Sequence, residues 1–293
     1  MTSFNFVIVN YHSEIDTELC IDILKKIGSE YKIHITVVCN SNHYVSKQID
    51  NVTYYNPKKN IGLAAAWDYG FKVGLNLGFS HTIFLNNDAI IDPSFMSILN
   101  DVDDDILSNS AIGPVIYDSE RRIWSSGGRF ERPLLRVIHF DDELPDKIVK
   151  TEHISGCCLI VPNKILRDIK GVDTDFFFRG EEWDLNYRLL CHQVPQYIIK
   201  DLKVYHKVNG SHDQYSPKMI YYLVRAKILF ARKHLIFTFL ILYMFIYLGF
   251  ILIIAPFKYS KLSNNRYKFY QYYSSIVQGI LKGVISKQIT EKL

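Results

Sequence analysis

Asp88 is the first residue in this 293-residue sequence whose type and position could do chemistry. It ends the segment 84–88 (Phe-Leu-Asn-Asn-Asp), directly after an apolar run. Mg²⁺ and Mn²⁺ prefer hard oxygen ligands, and Mn²⁺ also accepts imidazole nitrogen. A carboxylate at the end of a strand is therefore a candidate metal ligand, although a solvated residue between a strand and a turn would have the same local sequence.

A second group of carboxylates follows Gly180, where Glu181, Glu182 and Asp184 lie within four residues. Like charges this close raise a carboxyl pKa, which favours a general base. The same pattern is typical of a helix start, because the helix dipole stabilises acidic residues in the first turn and Asp184 can pair with Arg188 one turn later. Both interpretations can hold together.

The elements around these groups predict a parallel α/β sheet. Apolar strand-like runs at 4–9, 34–39 and 81–85 are separated by helix-length segments at 14–29 and 62–77. Each run ends in polar residues. In open α/β sheets ligands bind beyond the carboxyl ends of the strands, so we expect these ends to line one nucleotide-sized crevice; they are Asn10-Tyr11-His12, Asn40-Ser41-Asn42 and Asn86-Asn87-Asp88.

The alternation of strand and helix patterns is less regular in the rest of the body. The turn Asn60-Ile61-Gly62 precedes a helix start whose free N–H groups could face an anion. Residues 110–150 are typical of strands and loops that shape an acceptor pocket. A strand is predicted at 154–161, and after the acidic group a helix of about ten residues leads to a final strand ending near His206.

Five motifs in order resemble glycosyltransferase family 2, in particular its bacterial rhamnosyltransferase-like members. The resemblance covers roughly residues 4–234. The motifs are Val7-Ile8-Val9-Asn10-Tyr11, Asn60-Ile61-Gly62-Leu63-Ala64-Ala65-Ala66, Phe84-Leu85-Asn86-Asn87-Asp88, Ser155-Gly156 with Gly180-Glu181-Glu182-Trp183-Asp184-Leu185-Asn186-Tyr187-Arg188, and Val204-Tyr205-His206. The resemblance implies a GT-A (Rossmann-like) fold, with a mostly parallel central sheet flanked by helices.

It also implies an inverting, metal-dependent transfer of a sugar from a nucleoside diphosphate sugar to an acceptor hydroxyl. A departing nucleoside diphosphate gains negative charge, which a divalent cation neutralises. By resemblance, Mn²⁺ or Mg²⁺ is held by Asp88 and His206, and Glu182 is the general base. The implied donor-binding residues are Asn10, Tyr11, Cys39, Asn40, Asn60, Gly62, Asn86, Asn87 and Asp88; the implied acceptor-binding residues are Glu181, Trp183 and Asp184.

The sequence departs from the family pattern at three of these positions. Asn86 and Cys39 stand where the family usually has acids, and Glu182 stands where it usually has Asp. Cys is a weak hydrogen-bonding partner for a nucleobase. The donor base therefore stays open among uridine, deoxythymidine and guanosine, with dTDP-rhamnose and UDP-sugars as the expected donors.

Charge and composition separate the chain into a body and a basic tail. The sequence is 48% hydrophobic and 22% charged, as in packed globular proteins. Residues 225–293 contain 11 Lys/Arg and one acid, Glu291. The five cysteines show no CxxC spacing, which predicts neither a zinc site nor a disulfide framework. The N-terminus lacks signal-peptide features, so we expect the body to remain in the cytosol.

The tail also contains an uncharged, largely apolar run from Leu235 to Phe257. The run is long enough to cross a bilayer. A single span, however, would place the basic residues that follow it on the opposite side of the membrane from the body, which conflicts with the positive-inside tendency. An in-plane or re-entrant segment, a true span and a soluble core helix remain open, and 269–285 is a candidate amphipathic helix. The combination of basic and apolar residues favours a membrane surface as partner over nucleic acid.

The predicted organisation is a GT-A catalytic domain at 1–224, with a nucleotide-sugar half at about 1–110 and an acceptor half at 111–224, and a membrane-associating helical tail at 225–293. The resemblance implies a saccharide acceptor, lipid-linked, in O-antigen or capsule synthesis at the cytoplasmic face of a bacterial inner membrane. Two alternatives remain: a non-catalytic membrane-bound carbohydrate-binding or assembly protein, and a sugar nucleotidyltransferase. The latter usually has an N-terminal Gly-rich phosphate loop, and none follows Val9.

Overall fold

A computed structural model describes residues 2–41, 49–207, 215–263 and 266–285, so the predicted site position Asn42 lies outside it. The first half of the chain alternates strands and helices. In order these are β1 (Phe4–Asn10), α1 (Glu14–Ile27), β2 (Ile33–Cys39), β3 (Val52–Tyr55), α2 (Leu63–Asn76), β4 (His81–Asn86), β5 (Ala89–Ile91), α3 (Phe95–Asn100) and α4 (Asp104–Asn109).

The second half contains shorter strands and then a series of helices. In order these are β6 (Ala111–Tyr117), β7 (Ile123–Ser125), β8 (Gly128–Glu131), β9 (Arg136–His139), β10 (Ile148–Lys150), β11 (Cys158–Pro162), α5 (Asn163–Asp168), α6 (Glu181–Cys191), β12 (Gln196–His206), α7 (Pro217–His234), α8 (Phe237–Ile253), α9 (Ala255–Leu262) and α10 (Phe269–Ile285).

The central sheet is mostly parallel in the first half and mixed in the second. Its order is β10-β12-β6-β11-β4-β1-β2-β3, with β5 paired to β12 and β7 paired to β6. The strands β3, β2, β1 and β4 are parallel, whereas β11 runs antiparallel between β4 and β6. The predicted α/β class is confirmed, and the predicted strands 4–9, 34–39 and 81–85 match β1, β2 and β4 closely.

β1 shows why the first strands are continuously apolar. Phe6 and Ile8 point into one core, which includes Ile21 and Leu24 of α1, whereas Val7 points into a second core with Trp67 of α2. Successive side chains of a strand point to opposite faces, so a strand covered by helices on both faces must be apolar throughout. These two cores fix the sheet, and with it the positions of the strand ends.

The strand predicted at 154–161 begins later than expected, at Cys158. The side chain of Asn186 explains the difference. Its amide oxygen accepts from the Ile154 N–H at 2.9 Å and its amide nitrogen donates to the Ile154 carbonyl at 2.9 Å. Asn186 thus satisfies the backbone of Ile154 in place of a neighbouring strand, and the chain crosses this region as a buried loop.

The C-terminal helices do not begin a separate unit at residue 225. Helix α7 runs through that position, and Arg225 within it is only 1% exposed, with its guanidinium donating to the Asp175 carbonyl at 2.8 Å. Helix α10 packs along α7, where Gly279 and Gly283 allow close approach of the two backbones. The first part of the predicted tail therefore packs against the residues before 225.

The uncharged run at 235–257 forms α8 and the start of α9. The two helices are bent by 51°, and Pro256, which has no N–H and cannot continue the helix, lies in the first turn of α9. No single helix among the described residues is long and apolar enough to cross a membrane, although the bent pair passes that test of length and composition. Helix α10 matches the amphipathic helix expected at 269–285.

Candidate active site

Asp88 and His206 lie side by side although 118 residues separate them in the chain. Strand β5 begins at Ala89 and pairs antiparallel with β12, where Ala89 is opposite His206. This register places His206 Nε2 at 3.1 Å from Asp88 Oδ1 and at 3.3 Å from Asn86 Nδ2. Both predicted metal ligands and the neighbouring amide thus meet at the end of β4.

The donor set fits a divalent cation that takes further ligands from its substrate. Adjacent ligands of an octahedral ion with bonds near 2.1 Å lie about 3 Å apart, which matches the separation of Asp88 Oδ1 and His206 Nε2. A carboxylate combined with an imidazole suits Mn²⁺. No cluster of three or more His, Cys, Asp or Glu that could hold a metal occurs among the described residues. An octahedral ion held by Asp88 and His206 would take its remaining ligands from other groups.

Asn86 and Asp88 line a cleft of about 520 Å³ at the carboxyl ends of the parallel strands. His206 lines a neighbouring pocket of about 270 Å³, which shares Asn87 and Asp88 with the cleft. The lining of the cleft includes most of the predicted donor-binding residues: Tyr11, Asn40, Asn60, Gly62, Asn86, Asn87 and Asp88. The strand ends therefore share one crevice, as the sequence predicts. Its volume suits a nucleotide-sized ligand.

Two predicted donor-binding residues lie behind the cleft wall. Asn10 is 0% exposed, and its amide nitrogen donates to Ser41 Oγ at 3.2 Å while its amide oxygen accepts from the Ser13 N–H at 3.1 Å. Cys39 is 1% exposed, and burial raises the pKa of its thiol to about 12. Asn10 thus connects the residues that follow β1 and β2, Cys39 packs in the core, and neither residue lines the cleft.

The turn before α2 is held by side chains and by a neighbouring loop. Asn40 Oδ1 accepts from the Ile61 N–H at 3.2 Å, Asn60 Oδ1 accepts from the Gly62 N–H at 2.8 Å, and the Leu63 N–H donates to the Phe177 carbonyl at 2.6 Å. Three N–H groups at this helix start, those of Ile61, Gly62 and Leu63, are therefore already bonded. Gly62 has a φ of +84°, and a Cβ there would collide with the Phe177 carbonyl, so glycine is required.

Helix α6 begins at the acidic group, with Gly180 at a φ of +89° immediately before it. Its second residue, Glu182, accepts from the Gly156 N–H at 2.5 Å through Oε2. Burial raises the pKa of Glu182, against the lowering effects of the Gly156 hydrogen bond and of the positive charges of His139 and Arg179. A carboxylate with a raised pKa that keeps one oxygen free of this bond is suited to accept a proton.

The backbone of Gly156 and Cys157 connects Glu182 to the metal-binding end of the cleft. The Cys157 carbonyl accepts from the Asn86 N–H at 2.9 Å, while the preceding N–H, that of Gly156, binds Glu182. A Cβ on Gly156 would collide with Glu182 and Trp67, so only glycine permits this approach. The loop 156–157 thus holds Asn86 on one side and Glu182 on the other.

The two other carboxylates of α6 face inward. Glu181 is 5% exposed, and burial, followed by the charge of Glu182, raises its pKa to about 8. Asp184 is 0% exposed and accepts from Arg188 Nε at 2.7 Å and from His234 Nε2 at 2.7 Å. Burial acts to raise the pKa of Asp184, but the His234 hydrogen bond and the Arg188 charge outweigh it and lower the pKa.

The predicted acceptor-binding residues are therefore not brought together on one surface. Glu181 and Asp184 are buried, and Asp184 is already bonded to two cationic or potentially cationic side chains. Trp183 lines a different groove, where its ring meets Phe230 edge-on with centroids 6.3 Å apart. The i,i+4 pair between Asp184 and Arg188 was the alternative interpretation from sequence, and it is confirmed.

The far wall of the cleft comes from residues that sequence reasoning did not assign to the site. They belong to the loop before α6, to the start of α7 and to the segment after α9: Phe177, Phe178, Ser216, Lys218, Met219, Tyr222 and Tyr267. One local signal was present, because Ser216 followed by Pro217 is a typical helix start, and Ser216 Oγ does cap the Met219 N–H at 3.4 Å. Its placement over the cleft depends on tertiary packing.

Comparison of structures finds similar proteins, whereas comparison of sequences finds no match. No protein-family profile and no curated protein matches the chain. GalNAc-T7, solved with UDP, GalNAc and Mn²⁺, is similar with a TM-score of 0.61 and 12% identity, over 96% of this chain. The chain spans 58% of that protein's length.

A second solved structure matches along most of both chains. The mannosyltransferase PcManGT from Pyrobaculum calidifontis, in complex with GDP-Man and Mn²⁺, has a TM-score of 0.54 and 9% identity, over 97% of this chain and 88% of that one. Identities this low carry information about the fold alone. The predicted GT-A fold is confirmed: this chain has the fold of GT-A glycosyltransferases.

Proposed function

We propose that this chain is a metal-dependent, inverting glycosyltransferase that moves a sugar from a nucleoside diphosphate sugar to a hydroxyl of a saccharide acceptor. The observation that carries the proposal is the contact of His206 with Asp88, a residue that lines the strand-end cleft. An accessible carboxylate 3.1 Å from an imidazole forms half of a cation site, and the missing ligands are those that a diphosphate supplies.

The donor is assigned to the cleft and the cation to Asp88 and His206. GalNAc-T7 was solved with UDP and Mn²⁺, and PcManGT with GDP-Man and Mn²⁺, which supports the same class of ligand here. When bound, Mn²⁺ or Mg²⁺ would neutralise the charge that develops on the departing nucleoside diphosphate. Tyr267, which lines the cleft and is half-buried, offers an aromatic ring to a nucleobase.

Glu182 is assigned as the general base. As the acceptor oxygen forms its bond to the anomeric carbon, the bond from that carbon to the diphosphate breaks and the acceptor proton passes to Glu182. Burial raises the pKa of this carboxylate, and a raised pKa increases the driving force for proton transfer. The Gly156 N–H fixes the orientation of the side chain during the transfer.

The finer assignment rests on the five ordered sequence motifs. They support a rhamnosyltransferase-like enzyme of glycosyltransferase family 2, using dTDP-rhamnose or a UDP-sugar in bacterial O-antigen or capsule synthesis. The test is a panel of nucleotide sugars, dTDP-rhamnose, UDP-hexoses and GDP-mannose, incubated with the full chain and Mn²⁺ or EDTA while released nucleoside diphosphate is measured. We expect one donor to be turned over in Mn²⁺ only.

Binding gives an independent readout, because UDP, dTDP or GDP should raise the melting temperature in Mn²⁺ and not in EDTA. Asp88→Ala should abolish the metal-dependent shift. A suitable control is Asp201→Ala, which removes an exposed carboxylate from the same strand that carries His206. If no nucleotide stabilises the wild-type chain in either condition, the proposed function is refuted.

We also propose that α8 and α9 lie in the surface of the cytoplasmic leaflet of a membrane. Several large apolar side chains of α8 point outward, among them Phe245 at 80% and Ile253 at 68% exposure. Exposed apolar surface on this scale typically contacts a partner or lipid. Exposed basic residues after the run, such as Lys258 and Lys261, could meet anionic headgroups, whereas Lys233 before it is paired with Asp173 and Asp175.

Vesicle sedimentation tests this attachment. The full chain should sediment with vesicles containing phosphatidylglycerol, and Phe245→Glu/Ile253→Glu should remain largely in the supernatant. Ile15→Glu is the matched control, because Ile15 is 85% exposed on α1, away from the tail. Equal sedimentation of all three proteins would contradict attachment through α8.

A further inference from the structure

The hairpin of β6 and β7 reaches the candidate metal ligands Asp88 and His206. Ser119, in the connection between the two strands, lines the pocket of about 270 Å³ that Asp88 and His206 also line. Trp124 of β7 contacts His206, with the ring centroids 5.2 Å apart and the ring planes at 60°. The indole therefore lies directly beside the imidazole whose Nε2 is 3.1 Å from Asp88 Oδ1.

A β-bulge sets the position of Trp124. In the antiparallel pair of β6 and β7, Ile123 and Ser125 are opposite consecutive residues of β6, so Trp124 is an extra residue between them with no place in the ladder. A bulge bends its strand and redirects a side chain, and bulges are common next to active sites. Ser125 is buried and Ile123 is half-buried, whereas Trp124 is exposed. The one extra residue thus leaves the indole outside the core.

Asp118 holds the connection between the two strands in one shape. Its carboxylate accepts from the N–H groups of Glu120 and Arg122, at 2.9 and 3.0 Å, and from Arg122 Nε at 2.8 Å. The Asp118 N–H in turn donates to the Arg122 carbonyl at 2.9 Å. These bonds fix the turn that leads into Trp124. A surface that is ordered before a ligand arrives loses less conformational entropy when the ligand binds.

Trp124 differs from the two other tryptophans in its exposure and its surroundings. It is 39% exposed, whereas Trp67 is 1% exposed in the core and Trp183 is half-buried against Phe230. A single exposed aromatic is common on protein surfaces, but this one contacts a candidate metal ligand. The flat, apolar face of an indole complements the C–H face of a pyranose ring, whose hydroxyls can stay hydrated.

The place of Trp124 outside the donor cleft indicates which sugar it would meet. The described lining of the cleft includes Asp88 but neither Trp124 nor His206. A donor whose nucleotide occupies the cleft and whose diphosphate reaches a cation at Asp88 already fills the near side of that cation. The acceptor must then approach from solvent, and the exposed indole lies on that route, beside His206.

We infer that Trp124 is the stacking surface for a pyranose ring of the acceptor saccharide. The ring packs its C–H face on the indole, which holds the acceptor beside the cation site and directs one of its hydroxyls toward the anomeric carbon of the donor. Trp124 is thus a positioning residue on the acceptor side. The inference rests on the proposed function, since it adds to that site a residue which neither the sequence motifs nor the cleft lining includes.

The test measures saccharide binding to the full chain in detergent micelles by saturation-transfer NMR. The probes are the methyl glycosides of glucose, galactose, mannose and rhamnose, each with Mn²⁺ and with UDP, dTDP or GDP in turn. At least one glycoside should give a signal, and its ring C–H protons should be the most strongly saturated. Absence of a signal from all four glycosides would overturn the inference.

Variants then locate the bound ring. Trp124→Ala should weaken binding of the glycoside by about five- to tenfold, as expected for the loss of an aromatic contact. Trp124→Phe keeps an aromatic face and should retain most of the affinity. Ile148→Ala is the matched control, because Ile148 on the edge strand β10 is 38% exposed, and it should leave the affinity unchanged. Equal affinity of wild type and Trp124→Ala would contradict the inference.

Nucleotide binding separates stacking on a sugar from simple support of His206. In Trp124→Ala the rise in melting temperature that a nucleotide causes in Mn²⁺ should persist. If that rise disappears together with glycoside binding, the indole supports the metal site and the inference is overturned.

A nucleotide sugar, compared with its free nucleotide, shows whether the ring comes from the donor. If Trp124→Ala weakens the nucleotide sugar alone and leaves glycoside binding intact, the indole stacks on the donor sugar and the inference fails. The two proposals also fail separately. Glycoside binding that depends on Trp124, without stabilisation by any nucleotide, would refute the proposed function and leave Trp124 as a saccharide-binding residue. Stabilisation by a nucleotide in Mn²⁺ without glycoside binding would refute the assignment of Trp124 alone.

Discussion

The two groups of carboxylates in this molecule differ in how their charge is balanced. Asp88 lies at an open cleft and contacts His206, and no Lys or Arg in the described part of the chain is bonded to it. The carboxylates at the start of α6 are enclosed, and each has a different environment: Glu181 is buried, Glu182 accepts a backbone N–H, and Asp184 is bonded to Arg188 and His234.

The site at Asp88 therefore needs a cation from outside the protein, whereas the interactions of the carboxylates at the start of α6 are supplied by the protein itself. We therefore propose separate tasks for these four acidic residues: metal binding for Asp88, proton transfer for Glu182, and structural support for Glu181 and Asp184. Substitutions that remove charge while keeping shape can test each task. We order them by the size of the effect expected.

The largest effect is expected for Asp88→Asn. Without the carboxylate, the cation loses its one anionic protein ligand at this site, and kcat should fall by about 10³-fold or more. The Mn²⁺ concentration needed for half-maximal nucleotide release should rise as well. Asp201→Asn, an exposed site on β12, should change neither quantity. An unchanged Mn²⁺ dependence in Asp88→Asn would place the metal elsewhere.

The Asp88 site also shows what the sequence could and could not predict. Continuous apolar strands and their polar ends are local patterns, so β1, β2 and β4 and the shared crevice were predicted closely. The contact between Asp88 and His206 came from resemblance, because only the β5–β12 register brings the two residues together. Register between distant strands depends on tertiary packing, which a local pattern does not contain.

The acceptor side was predicted less well for the same reason. Glu181, Trp183 and Asp184 are adjacent in sequence, but a helix directs neighbouring side chains about 100° apart, so they reach different surroundings. The boundary expected at 224 followed charge and composition, whereas Arg225 and Ala226 are buried in the body. The composition of a segment reflects the average environment of its residues. It does not show where a packed helix begins or ends.

The second largest effect is expected for Glu182→Gln. Glutamine keeps the size of the side chain but cannot accept the acceptor proton, and general-base catalysis contributes about 10²- to 10⁴-fold. We expect kcat to fall within that range while donor binding changes little. Because burial raises the pKa of Glu182, the acidic limb of the wild-type kcat profile should lie above pH 4.5, with activity rising as pH increases.

The control for this substitution is Glu120→Gln, which neutralises an exposed glutamate in the turn before β7. Its rate and pH profile should match those of the wild type. If Glu182→Gln keeps both kcat and the acidic limb, the base is another group, and the two sets of carboxylates do not divide the reaction as we describe.

Asp184→Asn should act on stability more than on the chemical step. The variant loses the charge that pairs with Arg188 and bonds to His234, inside a site with 0% exposure. We expect the free energy of unfolding to fall by about 2–3 kcal/mol, since removing one partner of a buried pair leaves the other uncompensated. Urea denaturation measures it, with exposed Asp168→Asn as control. Normal stability together with weakened acceptor binding would instead support the acceptor role predicted from sequence.

The smallest effect is expected for Glu181→Gln, and it depends on pH. Burial raises the pKa of Glu181 from the reference value of 4.5 to about 8, so the folded chain holds this proton more tightly than the unfolded chain. The favourable contribution of the protonated form is complete below pH 4.5 and is lost as pH rises toward 8. Glutamine has no proton to release, so the variant should match the wild type at pH 4.5 and be more stable at pH 9, by roughly 1–2 kcal/mol after relaxation around the charge.

Urea denaturation at several pH values checks this prediction, with exposed Glu143→Gln as the matched control. A stability difference that does not change between pH 4.5 and 9 would contradict the raised pKa of Glu181. The effect of neutralising Glu181 can then be compared with the effect of neutralising Asp88. Among the described residues neither carboxylate is paired with Lys or Arg, so neutralising the enclosed Glu181 should stabilise the chain at high pH, whereas neutralising Asp88 at the cleft should remove activity.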